Sequence, residues 1–276
     1  TDTVQLMRGA DYNLPANIER IVVGAFAGSD TTAAVITMND LANVFTGHDN
    51  AETVNGLGGN DVLSGKAGND TLNGGDGNDV LDGGAGNDVL SGGAGNDRLV
   101  GRAGDDTMTG GIGNDVYYVD SALDTVTELA SQGTDTVRTT IGFTLGNNVE
   151  KGVIDGTASV NIWANDLPNV LVGNSGNNGL YGYGGNDTIH GNGGDDVVSG
   201  LDGNDKLYGD AGNDTIVGHA GVDTLTGGAG SDNFRYISAT DSPTTAPDQI
   251  TDMLSIDGPG GDSLDLSMID ANTAVV

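Results

Sequence analysis

The chain has 276 residues, with 49 Gly, 5 Pro and no Cys, and it sets 40 Asp and Glu against 9 Lys and Arg, a formal net charge of -31. That balance excludes a nucleic-acid partner, which needs clusters of Lys and Arg for phosphate, and disfavours an anionic membrane surface. Cysteine chemistry and disulfides are excluded, and self-repulsion of this size calls for a cation to offset it in any compact state.

Residues 1–38 read as a β-rich leader or cap. They hold no basic-then-apolar signal, and no apolar run anywhere is long enough to span a bilayer, so membrane insertion is not expected. The chain opens at Thr1 without Met, which is expected of a fragment or a processed product. Parts of the leader recur later: Asp2-Thr3-Val4 as Asp135-Thr136-Val137, and Asn39-Asp40-Leu41 as Asn165-Asp166-Leu167. The chain is therefore a tandem of two modules, each a leader followed by an array.

Residues 39–118 contain the first array. Asp61, Asp70, Asp79, Asp88, Asp97, Asp106 and Asp115 are spaced by nine, and two positions after each comes Leu63, Leu72, Leu81, Leu90, Leu99, Met108 and Tyr117. Opening glycines keep the same beat at Gly56, Gly65, Gly74, Gly83 and Gly92. A β linker or cap is expected over 119–164. In 165–235 the second array repeats the pattern, with Asn178 and then Asp187, Asp196, Asp205, Asp214, Asp223 and Asp232. Its opening glycines include Gly182, Gly191, Gly200, Gly209 and Gly218. All five prolines lie outside the regular repeats, 56–118 and 173–235, as they must if every repeat strand donates to a ladder. Residues 236–276 read as a C-terminal cap.

Each repeat reads as a six-residue glycine turn, such as Gly83-Gly84-Ala85-Gly86-Asn87-Asp88, and a three-residue strand, Val89-Leu90-Ser91, whose central residue points inward. One such strand buries almost nothing, so repeats must stack to make a core. If the chain reverses at each turn, two repeats make a coil and every second Asp shares an edge. Carboxylates about 4.8 Å apart along that edge repel without a cation between them. Asp oxygens and glycine carbonyls are hard ligands, which favours Ca²⁺ over zinc, copper or Mg²⁺. Same-edge pairs give five sites in the first array and four in the second. Glu52, Asn169 and Asn178 are degenerate partners for further end sites, so roughly ten ions are expected, offsetting about twenty charges.

These repeats resemble the RTX (repeats-in-toxin) family, whose consensus is Gly-Gly-x-Gly-x-Asp-x-apolar-x. The resemblance implies an all-β fold of two tandem right-handed parallel β-rolls with β-rich caps, Ca²⁺ between the turns, and export from a bacterium by a type I secretion system to the extracellular space. The tail, from Asp232-Asn233-Phe234 through Asp262-Ser263-Leu264-Asp265, resembles the C-terminal module of serralysin-type metalloproteases and alginate epimerases. Met253-Leu254 departs from that module where an aromatic residue is usual, and the chain stops at Val276, short of where the family's secretion signal would lie.

No catalytic constellation is expected. The three histidines are far apart in sequence: His190 ends a repeat strand, while His48 and His219 follow opening glycines, and all three read as exposed. No His-Glu-x-x-His or Gly-x-Ser-x-Gly frame occurs. Lys66, Arg98, Arg102 and Lys206 read as outward residues that trim edge charge. Trp163 reads as a capping contact, and Tyr181, Tyr183 and Tyr208 as solvent-side strand residues. The expected function is a non-catalytic, calcium-triggered folding module of a secreted protein. The alternatives are a polysaccharide-binding or accessory region of a secreted protease, epimerase or lipase, or an adhesin spacer.

Overall fold

A computed structural model describes residues 3–6, 11–23, 34–242, 246–253 and 261–269. Among these residues every regular element is a β-strand, and no helix is long and apolar enough to cross a membrane. The chain divides into two compact units, Thr1–Arg138 and Thr139–Val276.

In the first unit, strands alternate strictly between two sheets. One runs through Arg20–Val23, Val44–Thr46, Val62–Ala67, Val80–Ala85, Arg98–Ala103 and Val116–Val119. The other runs through Tyr12–Asn13, Ala34–Thr37, Glu52–Gly58, Thr71–Asp76, Val89–Ala94, Thr107–Ile112 and Thr125–Thr127. All of these pairings are parallel, and in the array the register is eighteen residues: Leu81 faces Leu99, and Leu72 faces Leu90. Two nine-residue repeats thus make one coil. The second unit repeats the plan. Val170–Val172, Thr188–His190, Lys206–Ala211, Thr224–Ala229 and Gln249–Ile250 form one sheet face. Asn161–Trp163, Gly179–Gly184, Val197–Asp202, Thr215–Ala220, Asn233–Arg235 and Ser263–Asp265 form the other. Each unit is a parallel β-roll, as the repeat period predicts.

The core is one residue wide per strand. Leu63, Leu81, Leu99 and Tyr117 meet Leu72, Leu90 and Met108, each at most 1% exposed. Leu171, Ile189, Leu207 and Leu225 meet Leu180, Val198, Ile216 and Phe234 in the same way. Each such side chain contributes about 2 kcal/mol by burial, but one per nine residues is a thin core. Neighbouring coils, and whatever links the turns, must supply the rest.

The strands are longer than the sequence suggests. Val80–Ala85 and Val89–Ala94 each run six residues, through both opening glycines. The reason is that a glycine pair can continue the ladder: Gly93 pairs with both Gly75 and Gly111. Only the third glycine, the Asn and the Asp are left to turn the chain. At Gly86 φ is +132°, and a Cβ there would lie 1.9 Å from the Gly68 carbonyl oxygen, so no larger residue fits.

Candidate metal ladder

Every array aspartate is turned inward at the corner between strands. All thirteen are 0–2% exposed, although nothing about an Asp favours burial by itself. The corner geometry explains half of it. The backbone N–H of Asp61 donates to Asp79 Oδ1 at 2.7 Å, Asp79 to Asp97 at 2.8 Å, and Asp97 to Asp115 at 2.7 Å. On the other edge Asp70 donates to Asp88 at 2.7 Å and Asp88 to Asp106 at 2.8 Å. In the second unit Asp187, Asp205 and Asp223 make one such chain, and Asp196, Asp214 and Asp232 the other. One oxygen of each carboxylate is therefore committed to holding the preceding coil in register.

The other oxygen has no partner. Oδ2 of all thirteen aspartates is buried without a hydrogen bond, a state that costs several kcal/mol per ionised group unless something else satisfies it. The neighbouring space is oxygen-lined. A Cβ built on Gly74 would lie 2.2 Å from Asp79 Oδ2 and 2.6 Å from the Gly92 carbonyl oxygen. One built on Gly182 would lie 2.2 Å from Asp187 Oδ2 and 2.7 Å from the Gly200 carbonyl oxygen. At Gly56, Gly65, Gly83, Gly92, Gly191, Gly200, Gly209 and Gly218 the corresponding Asp oxygen would also be 2.1–2.4 Å away. The opening glycines thus leave a pocket that any side chain would fill, faced by a carboxylate oxygen and, at several of them, by a carbonyl one coil on. The donor set fits a hard divalent ion.

Without an ion, burial holds these carboxylates above the usual carboxylate range. Burial pushes Asp61 and Asp70 up to about 7; a backbone N–H partly offsets this, and the next Asp in line adds repulsion. Asp97, Asp106, Asp187, Asp196 and Asp223 also rise to about 7, and Asp115, Asp205 and Asp214 to about 6, with burial again the largest cause. Asp79, Asp88 and Asp232 move in the same direction.

The ladder extends beyond the thirteen array aspartates. Asp106 N–H donates to Asp124 Oδ1 and Asp115 N–H to Asp135 Oδ1. Asp223 N–H donates to Asp248 Oδ1 and Asp232 N–H to Asp262 Oδ1. Asp124 keeps the beat, while the separations of 20, 25 and 30 residues to Asp135, Asp248 and Asp262 hide it. The triplets Asp124-Thr125-Val126, Asp135-Thr136-Val137, Asp248-Gln249-Ile250 and Asp262-Ser263-Leu264 keep its Asp-x-apolar signature.

At the N-terminal ends the ladder changes character. Glu52 N–H donates to Asp70 Oδ1 at 2.7 Å, and the Glu52 carboxylate meets His48 Nδ1 at 2.5 Å. His48 is therefore buried, 6% exposed, contrary to the exposed turn residue expected, because an acidic neighbour occupies the corner beside it. The second array begins instead with amides. Asn169 Nδ2 donates to the Val149 carbonyl at 2.8 Å and Asn178 Nδ2 to the Val160 carbonyl at 3.0 Å. Asn178 Oδ1 accepts the Asn174 N–H at 2.8 Å. An amide can donate to the preceding coil, which a carboxylate cannot, so these rungs are held by hydrogen bonds on their nitrogen side.

The outer faces hold the remaining polar side chains. Arg102 makes a two-pronged contact with Asp82 at 2.5 and 2.7 Å, and the Arg98 guanidinium lies 4.4 Å from the Tyr118 ring centre. Trp163 stacks on Tyr181 at 6.0 Å, and His190 on Tyr208 at 4.3 Å with Asp210 beside its ring.

A parallel β-roll with a buried carboxylate ladder along its corners defines the class of protein as a metal-dependent repeat solenoid. The family profile described as RTX calcium-binding nonapeptide repeat (4 copies) matches residues 46–81, 55–90, 82–117, 91–126, 163–198 and 199–234, together more than half of the chain. The chain belongs to this family, and it is a calcium-binding β-roll module. No curated protein matches it.

Proposed function

We propose that the chain is a non-catalytic module that folds when it meets calcium outside the cell, as part of a bacterial protein exported by type I secretion. The observation that carries this is the row of thirteen buried aspartates, each with one oxygen spent on the preceding coil and one left without a partner. We assign the array aspartates Asp61 to Asp115 and Asp187 to Asp232 as ligands, with carbonyls of the opening glycine turns completing each shell. Asn178 enters that set only through its Oδ1. Nine same-edge pairs, with the ends added, give roughly ten ions. In this reading residues 39–118 and 165–235 are the calcium rolls, and 1–38, 119–164 and 236–276 cap and link them.

The physics supports a folding trigger. With calcium scarce, as in a cytosol, ionised carboxylates oppose stacking and the glycine-rich chain stays extended enough to be exported. Outside, calcium in the millimolar range saturates sites of the extracellular affinity class, roughly 10⁻⁴–10⁻³ M. Binding energy then becomes folding energy. The three histidines stand apart in the two units, each with its own structural neighbours, and the family relationship and the charge both favour a structural role.

The test is circular dichroism of the metal-stripped chain at neutral pH during calcium titration. Cooperative gain of β-structure, reversed by EGTA, is expected. The same β-content in excess chelator as in calcium would overturn the reading.

A further inference from the structure

The first array ends differently from its interior. In the eighteen-residue register the position after Gly110 is Glu128, so an acid stands where the array coils on this edge have the opening glycines Gly56, Gly74, Gly92 and Gly110. Among the described residues, Asp115, Glu128 and Asp135 form a group of three acidic side chains whose ligand oxygens all lie within 4.8 Å of one another. All three are buried, at 0%, 4% and 1% exposure. Asp115 Oδ2 has no hydrogen-bond partner, and it faces the end of the array: a Cβ on Gly110 would lie 2.1 Å from it and 2.3 Å from the Tyr117 hydroxyl oxygen. That hydroxyl donates to Glu128 Oε1, and the Gly110 N–H donates to the hydroxyl at 2.5 Å. Asp115 N–H holds Asp135 Oδ1 at 2.8 Å. Three carboxylates and a phenol are thus fixed around one small volume.

We propose that this group is a further calcium site closing the first array, with three carboxylates where the interior rungs have two. The proposal rests on the calcium reading of the ladder. A third hard anionic ligand in a rigid setting raises affinity for Ca²⁺, because charge count and rigidity set it. This site is therefore the tightest in the chain and the first to fill. Among the described residues the corresponding Asp232, Asp252 and Asp262 do not form such a close group. Asp252 occupies the position of Glu128 and, like it, accepts from two glycine N–H groups, here Gly227 and Gly228 at 2.9 and 2.8 Å, but it is one methylene shorter. Phe234 stands where Tyr117 does, without a hydroxyl.

The experiment is ion counting by native mass spectrometry on the full chain in calcium, with Glu128→Gln, Asp135→Asn and a mid-ladder Asp79→Asn. Glu128→Gln and Asp135→Asn each hold one ion fewer than the parent, and the tightest step of the titration disappears. Terbium provides a second readout in a variant that keeps all three carboxylates. The first equivalent of Tb³⁺ shows tyrosine-sensitised emission in the parent, and Tyr117→Phe loses most of it. An unchanged ion count in Glu128→Gln and Asp135→Asn, alongside a loss in Asp79→Asn, overturns the end site and leaves the ladder standing. Unchanged first-equivalent emission in Tyr117→Phe overturns it even if the acid variants fail to fold. A parent chain that binds no calcium overturns the ladder reading, and the end site with it.

Discussion

The two arrays share a ladder, a core and a register, yet they differ at the second residue of each repeat. In the first array that position is glycine at Gly75, Gly84, Gly93 and Gly111, with Leu57, Lys66 and Arg102 as exceptions. In the second it is Tyr183, Asn192, Leu201, Asp210 and His219, all with φ near +70°, and glycine only at Gly228 among the left-handed positions. A left-handed non-glycine residue costs roughly 1–2 kcal/mol. Both arrays start one edge with an amide, Asn43 and Asn169, but the other edge starts with the acidic Glu52 in the first and the amide Asn178 in the second. The first array is thus less strained in its backbone but more dependent on neutralisation of charge. The second closes its first rungs with hydrogen bonds and carries its strain further in.

The largest expected effect comes from blocking a turn that no side chain can enter. Gly86→Ala places a Cβ 1.9 Å from the Gly68 carbonyl oxygen at a φ of +132°, and Gly212→Ala places one 1.9 Å from the Gly194 carbonyl oxygen at +145°. Each should destabilise its own array by about 3 kcal/mol or more, beyond the usual range for single substitutions. Hydrogen exchange in saturating calcium should show protection lost around the lesion and kept in the other array. Equal loss in both arrays from either substitution would break the picture of two separately held ladders.

A middle effect separates charge from strain. In the metal-free chain burial raises the folded-state pKa of the array aspartates, Asp61 and Asp70 to about 7, Asp115 and Asp205 to about 6, and it raises Glu52 to about 8. A group whose pKa rises on folding stabilises the fold fully below its unfolded value, and that contribution is lost as pH climbs through the folded value. Metal-stripped protein should therefore gain β-structure on acidification from pH 8 to pH 5 and lose it on return. Calcium should act in the opposite sense, binding more weakly at pH 5 because protons compete. Glu52→Gln gives the first array the neutral start of the second. It should let metal-free structure persist to higher pH, a gain on the order of 1 kcal/mol near neutrality from relieving a buried charge. Circular dichroism against pH in calcium-free buffer measures both, and a metal-free signal that grows with rising pH would contradict the assignment.

How much of this was legible beforehand follows from which features are periodic. The inward Leu81 and Leu99, the buried Asp79 and Asp97 and the eighteen-residue coil all follow from a nine-residue beat that insertion cannot disturb within an array. Asp124 continues the beat itself, whereas Asp135, Asp248 and Asp262 continue the same ladder after loops that stretch the interval to as much as 30 residues. Their Asp-x-apolar triplets are the only local trace, and contact in space places them. Strand length was misjudged because glycine pairs read as turns, whereas Gly75 and Gly93 pair as strand residues once a neighbouring coil is present. Burial of His48 depends on the Glu52 side chain reaching into the corner, a tertiary detail with no signature in spacing.

The smallest expected effect tests the strain difference directly. Leu57 is 46% exposed with φ +75°, and it pairs along the ladder with Gly75; Leu201 has the same φ but lies between Tyr183 and His219 in its row. Replacing either by glycine removes the left-handed cost but adds flexibility to the unfolded chain, worth about 0.4–1 kcal/mol in the opposite direction. Leu57→Gly should therefore stabilise the calcium-bound first array by about 0.5 kcal/mol, since little packing is lost from a half-exposed side chain beside glycine. Leu201→Gly should gain less or nothing, because its neighbours in the row are large side chains that lose a contact. Thermal denaturation in saturating calcium, read as a shift in Tm, compares the two. A larger gain from Leu201→Gly would show that row packing contributes nothing in the second array and that its backbone strain is uncompensated.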